Sequence, residues 1–350
     1  MPTFKTATSG LKTGRPRFFR IVAGVCLLYE AGVLSYLLWH WLGAGDQPAL
    51  ALLGVFLPFL FAPLLLILPV ALGIRSRPAM AGALLLVVAF VALYGPALAP
   101  KRHNQPALAG ADTLRVMTFN LGPTRATSAL LLEAIQKENA DIIAVQELTT
   151  EVRQLLIAEL SIKYPYSTLG SGHTVELLSR YPIVESERYP PAVGGRPYLH
   201  ALIDWHGVLL HVLAVHPWPP GILWFGDSVA PIGLDTRVLS AEMSHVAGMV
   251  STWDGPVIVV GDFNMTEQMP AYTTLAGVLN DAYREAGAGW GFTFPNDQRL
   301  GRFRIPFPMI RIDYLFHSDE LQAQTAAVGC EGSSDHCYLV TELTLAVETD

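Results

Sequence analysis

The stretch "VIVVGDFNMT" (residues 257–266) opens with four β-branched apolar residues and then delivers Gly261, Asp262, Phe263 and Asn264. A short unbroken Val/Ile run fits a buried strand, because branched side chains pack well on a pleated surface. Its end is less ordinary. A carboxylate and a carboxamide stand two positions apart, so if the chain stays extended both face one side while Phe263 points into the core.

Other apolar runs end the same way. Strand patterns appear at "LRVMTFN" (114–120), "DIIAVQE" (141–147), "TVELLS" (174–179), "YLHALIDW" (198–205), "VLLHVLAVH" (208–216), "RIDYLFHS" (311–318) and "HCYLVTEL" (336–343). Helical patterns fall at 128–139, 151–160 and 237–253. Strands joined directly as hairpins and interspersed with helices predict an α/β fold with two packed sheets flanked by helices. Asn120, Glu147, His216, Asp262 with Asn264, and Asp335 with His336 all stand at strand ends. Any one of them alone reads as a turn former or a helix cap. Together, on strands lying side by side, they place an oxygen-rich cluster on one rim, which suits a hard cation such as Mg²⁺. Zinc would call for more His or Cys.

In order along the chain, "VMTFNLG", "DIIAVQE", "LLSRYPI", "VLAVHPWPP", "VVGDFN", "RIDYLF" and "SSDH" resemble the motifs of the endonuclease/exonuclease/phosphatase superfamily of metal-dependent phosphoesterases. The resemblance is greatest to its membrane-anchored bacterial branch, which includes teicoplanin-resistance proteins of the VanJ type. It implies a four-layer α/β sandwich and phosphoester hydrolysis with Mg²⁺, or Mn²⁺ in its place. It also implies roles. Glu147 is the principal metal ligand, with Asn120 and Asp335 as direct or water-mediated partners. Asp262 orients and deprotonates the attacking water, and Asn264 holds a phosphate oxygen. Asp313 fixes and charges His336, and His216 donates to the departing oxygen. Tyr166 and Arg196 match places where relatives contact phosphate. Gly261 leaves room for substrate beside the backbone, and Glu176 is read either as a partner of His216 or as facing solvent.

The first hundred residues are of another kind. Apolar runs at 18–43, 49–73 and 79–99 each meet the roughly 20 residues a helix needs to cross a bilayer, predicting three transmembrane helices over 18–99. Pro58, Pro63 and Pro69 should bend the second. Lys5, Lys12, Arg15, Arg17 and Arg20 precede the first run, and Arg75 and Arg77 follow the second. The positive-inside bias thus leaves the basic segment 1–17 in the cytoplasm and everything after Ala99 outside it. Localisation then reads as multi-pass in a bacterial cytoplasmic membrane. Glu30, near the middle of the first run, reads as a protonated or hydrogen-bonded acid packed against neighbouring helices. Residues 100–112 read as a linker and 113–350 as the catalytic domain.

Seven of the 23 Lys and Arg but only two of the 30 acids lie in residues 1–100, so the remainder carries 16 basic against 28 acidic groups, a net −12. That balance disfavours nucleic acid as a partner. The segment 217–233 carries Trp218, Ile222, Leu223, Trp224 and Phe225 beside the site, with "GWGFTFP" (289–295) as a second aromatic wall. An apolar loop tethered near a bilayer suits a lipid-linked phosphate substrate, and Trp218 is its nearest contact. An extracellular nuclease and a non-catalytic membrane sensor on the same fold are the competing readings; no protein partner can be inferred. Cys330 and Cys337 read as two separately buried thiols.

Overall fold

A computed structural model describes residues 17–99, 101, 112–122, 128–226, 231–300 and 303–346. The basic segment 1–16 and nearly all of the linker lie outside these residues. The chain divides into two compact units: Met1–Leu42 with Pro58–Leu93, and Gly43–Leu57 with Tyr94–Asp350.

The first unit holds α1 (Arg17–Trp41) and most of α4 (Arg77–Leu98), both long and apolar enough to cross a membrane. Between them the chain is broken rather than straight. α2 (Pro48–Val55) and the apolar stretch Leu57–Gly73, which contains α3 (Leu64–Gly73), meet at 76° and make a third crossing only if the bent pair is one span. The break falls at Phe56, just ahead of Pro58; Pro63 precedes α3 and Pro69 lies inside it. Each proline removes a backbone donor where the helix would need one. Glu30 is buried against Gly82, where an added Cβ would lie 2.2 Å from its Oε2. Neither of its carboxylate oxygens has a hydrogen-bond partner.

The second unit is built on two six-stranded mixed sheets. In the first, β1 (Leu114–Asn120) lies between β2 (Ile142–Gln146) and the last strand, β16 (Tyr338–Leu345). β4 (Glu176–Ser179) and β3 (Tyr166–Ser167) continue past β2, and β15 (Leu321–Gly329) lies beyond β16. The second sheet runs β11 (Asn280–Asp281), β14 (Asp313–His317), β10 (Val257–Asp262), β7 (Val208–Val215), β6 (Tyr198–Trp205) and β5 (Ile183–Tyr189). β1 pairs with β2, and β10 with β7, in parallel. Two ribbons stand apart: β8 (Gly221–Trp224) with β9 (Pro231–Asp235), and β12 (Gln298–Leu300) with β13 (Phe303–Ile305).

Period-2 alternation sorts the strand residues into layers. Val116, Ile142, Ala144, Val212, Ala214, Ile258, Val260 and Leu315 meet between the sheets. Met117, Phe119, Ile143 and Val145 face the other way, packing with Leu131 and Ile135 of α5 (Ser128–Glu138) and with Leu156 and Leu160 of α6 (Thr150–Leu160). Leu213, Val215, Val257 and Val259 do the same with Leu239, Met243 and Val246 of α7 (Arg237–Val250) and Leu275 of α8 (Pro270–Ala276). A short α9 (Ala282–Ala286) follows β11. Helix, sheet, sheet and helix layers make the expected α/β sandwich.

Candidate active site

The same alternation locates the site. Asn120, Asp262 and Asp313 share the parity of the inter-sheet residues Val116, Val260 and Leu315 on their own strands, and His216 continues Ala214 one step past β7. Thus the inner faces turn from apolar to polar at one end of the sandwich, and all four side chains are buried there.

Asn120 joins the sheets. Its Nδ2 donates to Asp262 Oδ2 at 2.9 Å and to Glu147 Oε1 at 3.3 Å, while its Oδ1 accepts from Gly122 N at 2.9 Å. Glu147 sits one residue past β2 with φ 56°, a left-handed conformation that turns the chain as the strand ends. His216 Nε2 lies 3.6 Å from Glu147 Oε1 and 3.5 Å from Asp262 Oδ2. On the other side His336 Nδ1 lies 3.0 Å from Asp313 Oδ2, and its Nε2 is 3.8 Å from Asp262 Oδ2.

The two histidines are tuned in opposite directions. Burial opposes charge on His336, but Asp313 and Asp262 outweigh it and raise the imidazole to about 10. His216 is pushed by burial down to about 4, with Arg196 and His336 adding to the effect and Asp262 opposing it. Asp262 itself is raised by burial and then by the neighbouring Asp313. Arg196 Nη1 lies 2.8 Å from Nδ1 and 2.6 Å from Nε2 of His216, and its guanidinium sits 4.1 Å above the exposed Trp218 ring. A cation this close to the ring also favours neutral His216.

Asp335 comes to the cluster through a glycine. Gly122 has φ +66°, and a Cβ there would lie 2.4 Å from Asp335 Oδ1. Only at a bare backbone can this carboxylate lie two residues from Asn120. Sequence reasoning gave no role to several residues that hold this arrangement. Ser334 Oγ donates to Asn120 O at 2.7 Å and accepts from His336 N at 3.0 Å. Thr293 Oγ1 accepts from Ile312 N at 3.2 Å and Asp313 N at 3.3 Å, and the Phe294 ring packs 4.8 Å from His336. The "SSDH" run itself pointed to Ser334; nothing local pointed to Thr293.

Four expectations are corrected. β10 ends at Asp262, and Asn264 is left-handed with φ 52°, so alternation does not relate the two side chains. Instead Asn264 N donates to Asp262 Oδ1 at 2.9 Å and its Nδ2 donates to Pro217 O at 3.1 Å. Gly261 clears space for a strand rather than a substrate, since a Cβ would lie 2.0 Å from Val215 O. Glu176 neither meets His216 nor faces solvent. Its neighbour Leu177 points between the sheets, so Glu176 points outward, where it is buried and accepts from Arg153 Nη1 and Arg188 Nη2, each at 2.9 Å. Cys330 and Cys337 form a disulfide that closes the loop carrying Asp335 and His336. Tyr166 lies on β3, an edge strand paired with Ser179, and no described contact connects it to the cluster.

Ligand atoms of Asp262, Asp313 and His336 lie within 4.8 Å of one another, close enough for one metal ion, and Asp313 Oδ1 is buried without a partner. A protonated imidazole, however, has no lone pair to give. While His336 is charged these three make an ion-paired set, and with the imidazole neutral they offer one ion two carboxylates and a ring nitrogen.

Residues 117–336 match the model of the endonuclease/exonuclease/phosphatase family. The chain belongs to this family. Its members are phosphoesterases and nucleases, typically dependent on a divalent metal, which supports hydrolase activity here. Among solved structures, D. rerio TDP2 complexed with a single-strand DNA product superposes with TM-score 0.53 at 17% identity, over 67% of this chain and 99% of that one. An endonuclease/exonuclease/phosphatase protein from Bacteroides vulgatus gives 0.52 at 19%, over 67% and 100%. At these identities the likeness is one of fold. No curated protein sequence matches the chain significantly.

Proposed function

We propose that the chain is a membrane-anchored, extracytoplasmic, Mg²⁺-dependent phosphoesterase of the membrane-anchored bacterial branch of the family, acting on a lipid-linked phosphate, phosphodiester or pyrophosphate. The observation that carries the reading is the junction of Glu147, Asn120, Asp262 and His216 across two sheets, with the Asp313–His336 pair beside it.

Glu147, Asn120 and Asp335 would hold the cation, which offsets charge on the phosphoryl oxygens. Asp262, a buried carboxylate made more basic than usual, accepts the proton of the attacking water. The charged His336, held by Asp313, presents its Nε2 proton to the phosphate. His216, neutral near pH 7, offers the departing oxygen a hydrogen bond in place of a proton, and Arg196 adds fixed positive charge beside it. Trp218 flanks that guanidinium and gives a lipid chain its first apolar surface. The disulfide supports a location outside the cytoplasm, where such bonds persist.

The test is turnover by the detergent-purified chain on phospholipids, polyprenyl phosphates, sphingomyelin and DNA, with Mg²⁺ and with EDTA. EDTA-sensitive release of phosphate or head group from lipid is expected. Equal or faster cleavage of DNA selects the nuclease reading, and no turnover of any substrate with Mg²⁺ or Mn²⁺ selects the sensor.

A further inference from the structure

α7 carries one residue out of keeping with its face. Leu239, Glu242, Met243 and Val246 recur at helical spacing and all are buried, so a carboxylate stands in the stripe where an apolar side chain is expected. Its described partners are neutral. Tyr198 OH donates to Glu242 Oε2, and Val193 N donates to Oε1 at 3.2 Å. Tyr198 reaches it by strand parity, since Leu199 points between the sheets and Tyr198 therefore turns toward α7. Glu176 and Asp281, also buried away from the cluster, are built differently: Arg153 and Arg188 face the first and Arg311 the second. A guanidinium cancels a buried charge, whereas a hydroxyl and an amide only solvate it. Packing of α7 alone would be served as well by leucine.

What the carboxylate holds is the loop 190–197, which joins β5 to β6 and is largely exposed. Val193 is tied to it by the hydrogen bond and Gly195 by close contact, for a Cβ on Gly195 would lie 2.9 Å from Glu242 Oε1 and 3.3 Å from its Cδ. The next residue is Arg196. Its guanidinium leaves the loop for the site, where it lies against His216 and above the Trp218 ring. A long side chain on an exposed loop has its own rotamers and a moving base to swing from. Stacking on Trp218 restrains the first freedom, and the grip of Glu242 on Val193 and Gly195 restrains the second.

We propose that Glu242 is a positioning residue: by holding the 190–197 loop it sets Arg196 between Trp218 and His216, and so decides where fixed positive charge stands at the site. It acts only through Arg196. The catalytic consequence rests on the phosphoesterase reading; the holding of Arg196 does not.

The detergent-purified full-length chain is compared with its Glu242→Leu, Glu242→Gln and Arg196→Ala variants and with the double variant Glu242→Leu/Arg196→Ala. Leucine suits the stripe but accepts no hydrogen bond. Labelling of Arg196 by phenylglyoxal, read by peptide mass spectrometry, is expected to be several-fold faster in Glu242→Leu than in wild type. Glu242→Gln should label as wild type does, because its amide oxygen still accepts from Val193 N. Unchanged labelling in Glu242→Leu overturns the proposal. With a polyprenyl phosphate and Mg²⁺, kcat/KM should fall about ten- to a hundredfold in Glu242→Leu, the cost of a displaced group. The same change made in Arg196→Ala should cost less than about twofold, because the two residues act along one path. Equal factors in both backgrounds overturn the proposal, since a merely structural residue would act independently of Arg196. Should Glu242→Leu fail to fold, Gly195→Ala puts the same question from the loop side: its methyl group meets the carboxylate and leaves the residues of α7 unaltered. Its labelling and its pairing with Arg196→Ala carry the same expectations and the same refutations. Labelling needs no turnover, so faster labelling of Glu242→Leu in a chain that releases no phosphate supports the positioning and refutes the phosphoesterase reading alone.

Discussion

Asn120 Nδ2 donates to Asp262 Oδ2 at 2.9 Å, one buried hydrogen bond from the central region of the first sheet to that of the second. It holds the carboxylate while leaving His216 and His336 within 4 Å of the same oxygen, at 3.5 and 3.8 Å. Asp262 is therefore the point where both halves of the sandwich meet.

Replacing Asp262 by Asn keeps the shape and the link to Asn120, since an amide oxygen accepts as the carboxylate does, but it removes the proton acceptor. Phosphate release should fall about 10²–10⁴-fold, the usual worth of a positioned base, with little change in Tm. Steady-state turnover and thermal denaturation on one preparation check this. Retention of most of the activity would remove Asp262 from the chemistry.

Gly261 makes a purely structural prediction. With φ +152° and a Cβ that would lie 2.0 Å from Val215 O, alanine strains the backbone and pushes β10 away from β7. The parallel pairing of these strands positions both Asp262 and His216. Gly261→Ala should destabilise the fold by about 3 kcal/mol or more, combining backbone strain with overpacking, and lower Tm accordingly. An unchanged Tm would contradict the contact.

The sandwich was legible where strands are mostly apolar, as in β2, β7 and β10, and the site was legible because acids, amides and histidines are out of place at the ends of such strands. β5 was missed because "IVESERY" is an exposed edge strand with charges on both faces, and β15 because "LQAQTAAVG" is largely Ala and Gln, with few branched side chains. Glu176 was misread for want of parity, since Leu177 had to be placed between the sheets before its neighbour could be placed outside. Attachment of α2 to β9, with Ala51 buried in one cluster with Leu213 and Leu234, was invisible for a deeper reason. Apolar residues that face lipid and apolar residues that face protein have the same composition.

Glu176 should matter for folding and not for chemistry. It is buried beneath Arg153 and Arg188 and also accepts from Thr168 Oγ1 at 2.6 Å. Glu176→Ala leaves two guanidinium groups without their carboxylate and should cost about 3 kcal/mol. Turnover per folded molecule should stay within a factor of about two, as expected of a residue touching neither water nor phosphate. Normal stability with a collapsed kcat would instead restore a role beside His216.

Stability should fall in mild acid, and a histidine pair away from the site reports it most cleanly. His200 Nε2 lies 3.0 Å from His211 Nδ1, and both rings pack on Trp253. Burial, and then the neighbouring His211, push His200 down to about 4. Between pH 4 and the ordinary value of 6.5 the unfolded chain takes up this proton and the folded chain does not, so stability rises with pH across that window. The contribution is complete above about 6.5 and lost as pH falls to about 4, and at 1.36 kcal/mol per unit it is on the order of 3 kcal/mol at most. Denaturant unfolding of wild type and His200→Gln at pH 7 and pH 4.5 should show the variant losing less stability on acidification. Equal losses in the two proteins would mean that His200 takes up its proton as readily in the folded state as in the unfolded one.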